Sequence, residues 1–313
     1  MKKKIFIDGE EGTTGLQIYE RLENHPYIEL LKIKSKNRKS LSAKKILMKE
    51  ADLVFLCLPD VASIETVALG KELKEHCPIF IDASTAHRTS REWSYGLPEL
   101  SNEYRNKIKN SNKIAIPGCY ASGANLLIYP LTNKGLILNS HQFIVQAVSG
   151  YSGGGKKLIE YQKNSNTPFF YYGLDLNHKH LPEIKFHSNL EKDPIFLPSV
   201  ANFYQGMIVN IFLNKDDFVK EASFFEIQDI FRNFYKDQQF IVSKFHKSIE
   251  FSNGFYKPNL IINSNNVEIN IFKNDKKQQL IISVNFDNLG KGASGAAIQC
   301  MNLRFGFDEK LGL

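Results

Sequence analysis

Five short apolar segments (Lys3 to Asp8, Ile28 to Ser35, Asp52 to Leu58, Pro78 to Ala83 and Lys113 to Ile116) recur through the first 118 residues, with helix-compatible stretches between them. Apolar runs of this length bounded by turn residues read as strands buried on both faces, and strands that alternate with helices are joined in parallel. The pattern predicts an α/β domain whose parallel sheet is covered on both sides. Its first strand runs into Gly9-Glu10-Glu11-Gly12-Thr13-Thr14-Gly15, followed by Leu16, Ile18, Tyr19 and Leu22 at spacings a helix buries. Strand, glycine turn and helix together let backbone N–H groups approach a pyrophosphate, as in a Rossmann-type fold. Gly9, Gly12, Thr13, Thr14 and Gly15 are therefore candidate cofactor contacts, although the spacing is GxxGxxG instead of the commoner GxGxxG. Where an NAD-binding chain would place an acid on the ribose, this one reads Ser35-Lys36-Asn37-Arg38-Lys39. Ser35 and Arg38 suit a 2′-phosphate, so NADP is the expected cofactor.

The fifth strand leads into Pro117-Gly118-Cys119-Tyr120 and then an apolar run, Ala124 to Leu131. Pro-Gly is a turn pair, so Cys119 falls at or near a helix N-terminus. There the helix dipole and unpaired amides favour the thiolate, drawing a thiol below its free pKa of about 8.5. The other cysteines, Cys57, Cys77 and Cys300, lie far apart with no CxxC pair. Neither a disulfide framework nor a zinc site is indicated, and a reducing compartment fits. The opening Met1-Lys2-Lys3-Lys4 is followed by an apolar run too short for a signal peptide, and no stretch approaches a membrane span, so a cytoplasmic protein is expected. A net charge of +7 raises the possibility of a nucleic-acid partner, but only seven of the 40 basic residues are Arg and the Lys are scattered. A small phosphate-bearing substrate uses the same field.

Two segments suggest chemistry that their details do not support. Gly150 to Lys157 fits the GxxxxGK of a phosphate-binding loop, but Lys157 stands where Ser or Thr would hold Mg²⁺. His178-Lys179-His180 offers two imidazoles beside Glu183, but no third metal ligand at a recognisable spacing. A thiol, a histidine and a hydride donor are instead the equipment for reducing an acyl phosphate to an aldehyde. The thiolate expels phosphate, the thioester accepts hydride, and the histidine moves protons.

Seven motifs in order carry a resemblance that runs nearly end to end: Ile5 to Gln17, Leu53 to Asp60, Asp82-Ala83-Ser84 with Arg88, Tyr95 to Leu100, Pro117 to Tyr120 with Ser149 to Lys157, His178 to Ile184, and Asp287 to Gly292. The chain resembles the N-acetyl-gamma-glutamyl-phosphate reductase family of arginine biosynthesis, in its shorter form. The resemblance implies Cys119 as nucleophile and His180 as acid/base ahead of His178. Gln146 falls where the related aspartate-semialdehyde dehydrogenases keep a substrate-orienting Gln. Ser84 and Arg88 would receive the phosphate, Glu183 would lie on the substrate side and orient a histidine, and Asn288 would touch the nicotinamide end of NADP. Ala121-Ser122 and Lys179 depart from the Pro-Thr and Arg of many relatives.

The expected organisation is a Rossmann-type NADP-binding domain over 1–118, an α+β catalytic and substrate domain over 119–285, and a C-terminal helix within 286–313 that returns to the nucleotide domain. In the second domain, strands are expected at Phe143 to Val148, Ile208 to Leu213 and Leu280 to Val284, with helices at Ala222 to Tyr235 and Lys291 to Phe305. The resemblance also implies a homo-oligomer. The rival reading is an aspartate-semialdehyde dehydrogenase-like reductase of another acyl phosphate, and the His-x-His-x-Pro-Glu segment speaks against it.

Overall fold

The computed structural model describes residues 2–220, 224–244 and 254–313. The chain forms two compact units, one of Met1–Pro117 with Ala293–Leu313 and one of Gly118–Gly292.

In the first unit β1 (Lys3–Asp8), α1 (Thr13–Leu22), β2 (Ile28–Leu31), α2 (Leu41–Glu50), β3 (Leu53–Leu56), α3 (Asp60–Lys71), β4 (Ile79–Asp82), β5 (Ser94–Tyr95), α4 (Asn102–Asn110) and β6 (Lys113–Ala115) follow in order. The six strands form one parallel sheet in the order β2-β1-β3-β4-β6-β5. Alternation along β1 shows why both faces are covered. Ile5 and Ile7 join Ile18, Phe55 and Ile114 on one side, while Phe6 joins Met48, Val54 and Phe80 on the other. The order reverses between β1 and β3, and that switch point is where open α/β sheets take ligands. The expected second strand stops at Leu31, the last residue paired with β1, and Ser35–Asn37 is a single 3₁₀ turn.

In the second unit α5 (Cys119–Asn133), β7 (Ile144–Gly150), α6 (Gly155–Ser165), β8 (Phe169–Tyr171), α7 (Leu181–His187), β9 (Ile195–Ala201), β10 (Met207–Asn214), α8 (Phe224–Tyr235), β11 (Ile241–Lys244), β12 (Val267–Asn274) and β13 (Gln279–Phe286) build a seven-stranded mixed sheet, ordered β11-β12-β13-β10-β7-β9-β8. The helix expected from Ala222 begins at Phe224 among the described residues; Ala222 and Ser223 lie outside them. One sheet face packs on α5. A Cβ placed on Gly123 of that helix would lie 2.6 Å from Val209 Cγ2, so glycine is what permits the approach. The Tyr235 hydroxyl of α8 donates to the Leu126 carbonyl at 2.7 Å and ties α8 to the same helix. On the opposite face Ile195, Ile144, Phe212 and Ile281, from the adjacent strands β9, β7, β10 and β13, stay exposed.

After β13 the chain turns at Asp287, whose carboxylate accepts the backbone N–H groups of Leu289 and Asn263, each at 2.8 Å. One π-helical turn (Gly290–Ser294) precedes α9 (Gly295–Phe305). Ala296, Ala297, Ile298 and Met301 of α9 join the core of the first unit. Gln299 Nε2 there donates to Glu99 and Glu309, each at 2.7 Å. Among the described residues no helix is long and apolar enough to cross a membrane.

Candidate active site

Gly118 is the N-cap of α5 and Cys119 is its first helical residue, as the Pro-Gly turn predicts. No acidic residue occupies the first turn and no side chain caps it from Gly118. The helix dipole favours a thiolate at Cys119, and the carboxylate that faces this helix start comes from outside it, from Glu183. Cys119, Ser149, Tyr172, His178 and Lys179 line one cavity of about 340 Å³.

His178 is held in that cavity by an edge-on contact with Tyr172, with ring centroids 5.6 Å apart, and another with Phe196 at 5.1 Å. Its Nδ1 accepts the backbone N–H of His180 at 3.1 Å, so in the neutral ring the proton sits on Nε2. Burial, reinforced by the Lys179 charge, lowers its pKa to about 4. At neutral pH His178 thus presents an N–H donor. His180 is instead the N-cap of α7, 5% exposed, and is not part of the cavity wall. Of the two histidines, His178 is the one that lines the cavity.

Next to the thiol, Tyr120 is anchored by a hydrogen bond from its hydroxyl to the Ser199 carbonyl at 2.9 Å, and burial pushes its pKa well up. Tyr172, also raised by burial, is a cavity residue that the motif reading missed, because Gly173 and the irregular segment after β8 carry no periodic signal. Lys179 reaches the same wall and places a cation there.

Gln146 is not brought to this place. It lies on β7 between Val145 and Ala147, which face the core, and so points to the opposite face of the sheet from α5. Its Oε1 accepts from Asn210 Nδ2 at 2.7 Å on the neighbouring strand. Glu183 is 1% exposed, and its Oε1 accepts the Gly118 N–H at 2.8 Å. Asn288 accepts the Gly206 N–H at 2.8 Å and donates to Ser152 Oγ at 2.9 Å, so its amide holds the turn after β7. Among the described residues no group of three or more His, Cys, Asp or Glu side chains is arranged to hold a metal.

In the first unit the glycine turn has the shape a dinucleotide needs. Gly9 has φ +92°, and a Cβ on Gly15 would lie 2.3 Å from the Gly9 carbonyl. Gly12 is the N-cap of α1, whose first turn, opened by Thr13 and Thr14, carries no acid and no side-chain cap. Its N–H groups suit a pyrophosphate. Arg38 pairs with Glu11 of that turn and also donates to the Ser35 carbonyl at 3.1 Å. Ser84 donates to the buried Asp82 at 2.7 Å; burial acts to raise that carboxylate, but hydrogen bonds from His87 and Ser84 hold it below its usual value. Arg88 is 8% exposed and spends Nε on the Ile116 carbonyl at 2.9 Å and Nη2 on Ala83 at 3.0 Å, joining the ends of β6 and β4.

The family described as "Semialdehyde dehydrogenase, NAD binding domain" matches residues 4–111, and "Semialdehyde dehydrogenase, dimerisation domain" matches 119–288. A curated relative from Trichormus variabilis, named N-acetyl-gamma-glutamyl-phosphate reductase, is 41% identical and covers 100% of this chain and 99% of its own. The chain belongs to the N-acetyl-gamma-glutamyl-phosphate reductase family. A Sinorhizobium medicae relative of the same name is 39% identical over 97% of this chain and 99% of its own. Among solved structures, aspartate semialdehyde dehydrogenase II of Vibrio cholerae matches with TM-score 0.69 at 12% identity, covering 98% of this chain and 99% of that one. The Candida albicans aspartate semialdehyde dehydrogenase with NADP matches at 0.68 and 15%, covering 97% and 98%. At such identities they show the shared fold. The protein is an α/β oxidoreductase of the semialdehyde dehydrogenase type, with a domain for a nicotinamide cofactor.

Proposed function

We propose that this protein reduces N-acetyl-gamma-glutamyl phosphate to N-acetylglutamate 5-semialdehyde with NADPH, through a thioester on Cys119, in cytoplasmic arginine biosynthesis. The observation that carries the chemistry is Cys119 at the first position of α5, in a cavity shared with a neutral, N–H-donating His178. The thiolate attacks the acyl carbon, the C–O bond to phosphate breaks, and inorganic phosphate leaves. NADPH, when bound at the glycine turn, supplies the hydride that the thioester carbon accepts. His178 gives its Nε2 proton to the oxygen that becomes the thiohemiacetal hydroxyl. It takes that proton back as the C–S bond breaks, so aldehyde and thiolate are released. Lys179 supplies a cation for the anionic substrate, and Ser84 and Arg88 are assigned to the departing phosphate on the resemblance.

Arg38 is assigned to the 2′-phosphate of NADP, which would replace Glu11 as its anionic partner. The assembly proposed is a homodimer or a tetramer built from it, a second copy covering the apolar row Ile144, Ile195, Phe212 and Ile281 within the segment matched by the dimerisation family. The test is the reverse reaction, following NADPH formation from NADP and inorganic phosphate with either N-acetylglutamate semialdehyde or aspartate semialdehyde. At least 100-fold preference for the acetylated aldehyde in kcat/KM is expected. Equal or greater activity with aspartate semialdehyde reassigns the substrate.

A further inference from the structure

The segment that supplies the histidine and the turn that supplies the thiol are joined by one buried carboxylate. Glu183 is the third residue of α7, three positions after His180, which caps that helix, and five after His178 in the cavity wall. Its Oε1 takes the N–H of Gly118, the residue immediately before Cys119, at 2.8 Å. Gly118 has the extended conformation of an N-cap (φ −70°, ψ 144°) and no side chain of its own to hold it there. A carboxylate accepting an N–H at a helix start also makes a charge-assisted bond, stronger than a neutral one.

We propose that Glu183 is a positioning residue for the reductase reaction, a clamp that fixes Cys119 against His178 and sets the charge felt by the thiol, and not a contact to substrate. The role rests on Cys119 being the nucleophile. A fixed negative charge at the amino end of α5 opposes the helix dipole and makes the thiolate harder to form and, once formed, more nucleophilic. Among the described residues, the titratable or charged groups near Cys119 include Tyr120 on α5, Tyr172 after β8, and His178, Lys179 and His180 on the segment leading into α7. Lys291 is buried in the turn whose Gly292 abuts the Cys119 Cβ. None of these is removed by substitution at 183, so a change in the titration of Cys119 in an isosteric variant reports the Glu183 charge.

The test uses Glu183→Gln, which keeps an oxygen acceptor for Gly118 N–H and loses the charge, and Glu183→Ala, which loses both. Iodoacetamide labelling of the Cys119 peptide is followed against pH by mass spectrometry, a readout that needs no turnover and so stands even if the acyl substrate is reassigned. E183Q should move the Cys119 labelling midpoint down by ~1 pH unit. E183A should lower kcat at least 30-fold with KM within threefold, and E183Q should recover at least tenfold of that kcat. An unshifted labelling profile in E183Q overturns the electrostatic role. A rise in KM at unchanged kcat in E183A would make Glu183 a substrate contact and overturn the clamp. If E183A does not fold, the same KM-against-kcat split is read on Glu183→Asp, whose shorter arm loosens the clamp while retaining the charge.

Discussion

At the residue scale, the four thiols of this chain sit in four different environments, and reactivity should follow them. Cys57 is pushed up to about 12 by burial, with the nearby Asp82 and Asp8 charges adding to it. Cys300 is buried and donates to the Gly96 carbonyl at 3.6 Å. Cys77 is exposed but raised by partial burial, whereas Cys119 is the first residue of α5 and lines the cavity. Near neutral pH, iodoacetamide should label Cys119 first and Cys77 second, with Cys57 and Cys300 unmodified until the protein unfolds; peptide mapping checks the order. His178 carries a second prediction. Its folded pKa of about 4 lies below the ordinary histidine value of 6.5, so between those values the unfolded state binds the extra proton and stability declines as pH falls. His178→Asn should remove that acid-side loss in urea titrations, and it should cut turnover by roughly 10² to 10⁴. A larger kinetic loss in His180→Asn would return the acid/base role to His180.

At the scale of elements, what was legible and what was not separate along a physical line. The strand, turn and helix starts set by Gly9, Gly12 and Pro117-Gly118 were readable, because turn chemistry is local and needs no partner. Strands β9 and β12 were not, since Pro198 breaks the apolar run in one and Glu268 and Asn270 break it in the other, although all three sit in ladders. Gln146 shows the same limit: a motif gives position along a strand, and the face follows from which neighbours meet the core. His178 and His180 are two apart on an irregular segment, so spacing could not say which ring enters the cavity. The glycine turn itself is open to test. Because a Cβ at residue 15 meets the Gly9 backbone at 2.3 Å, Gly15→Ala should cost about 1–3 kcal/mol in urea unfolding and abolish tight NADPH binding. Arg38→Ala should leave stability alone and raise the KM for NADPH about tenfold, with NADH little affected; equal loss for both cofactors would remove the 2′-phosphate from Arg38.

For the whole molecule, the exposed row across β9, β7, β10 and β13 is the feature a lone chain explains least. Isolated apolar residues on a surface are ordinary, but a line of them on four adjacent strands is a surface fitted for cover. Its polar neighbours Gln146 and Asn210 are hydrogen-bonded to each other at 2.7 Å, so a second copy meeting this face would leave them satisfied. Phe212→Lys should shift the protein from dimer toward monomer in sedimentation at micromolar concentration. An unchanged mass would place the interface elsewhere. The central claim, a thioester on Cys119, can be tested without the hydride step. Mixed with N-acetyl-gamma-glutamyl phosphate and no NADPH, the protein should release one inorganic phosphate per chain and gain the mass of one N-acetylglutamyl group. That adduct should map to the Cys119 peptide, be removed by hydroxylamine, and be absent from Cys119→Ser. Full phosphate release and turnover in Cys119→Ser, or an adduct on any other residue, would contradict the account.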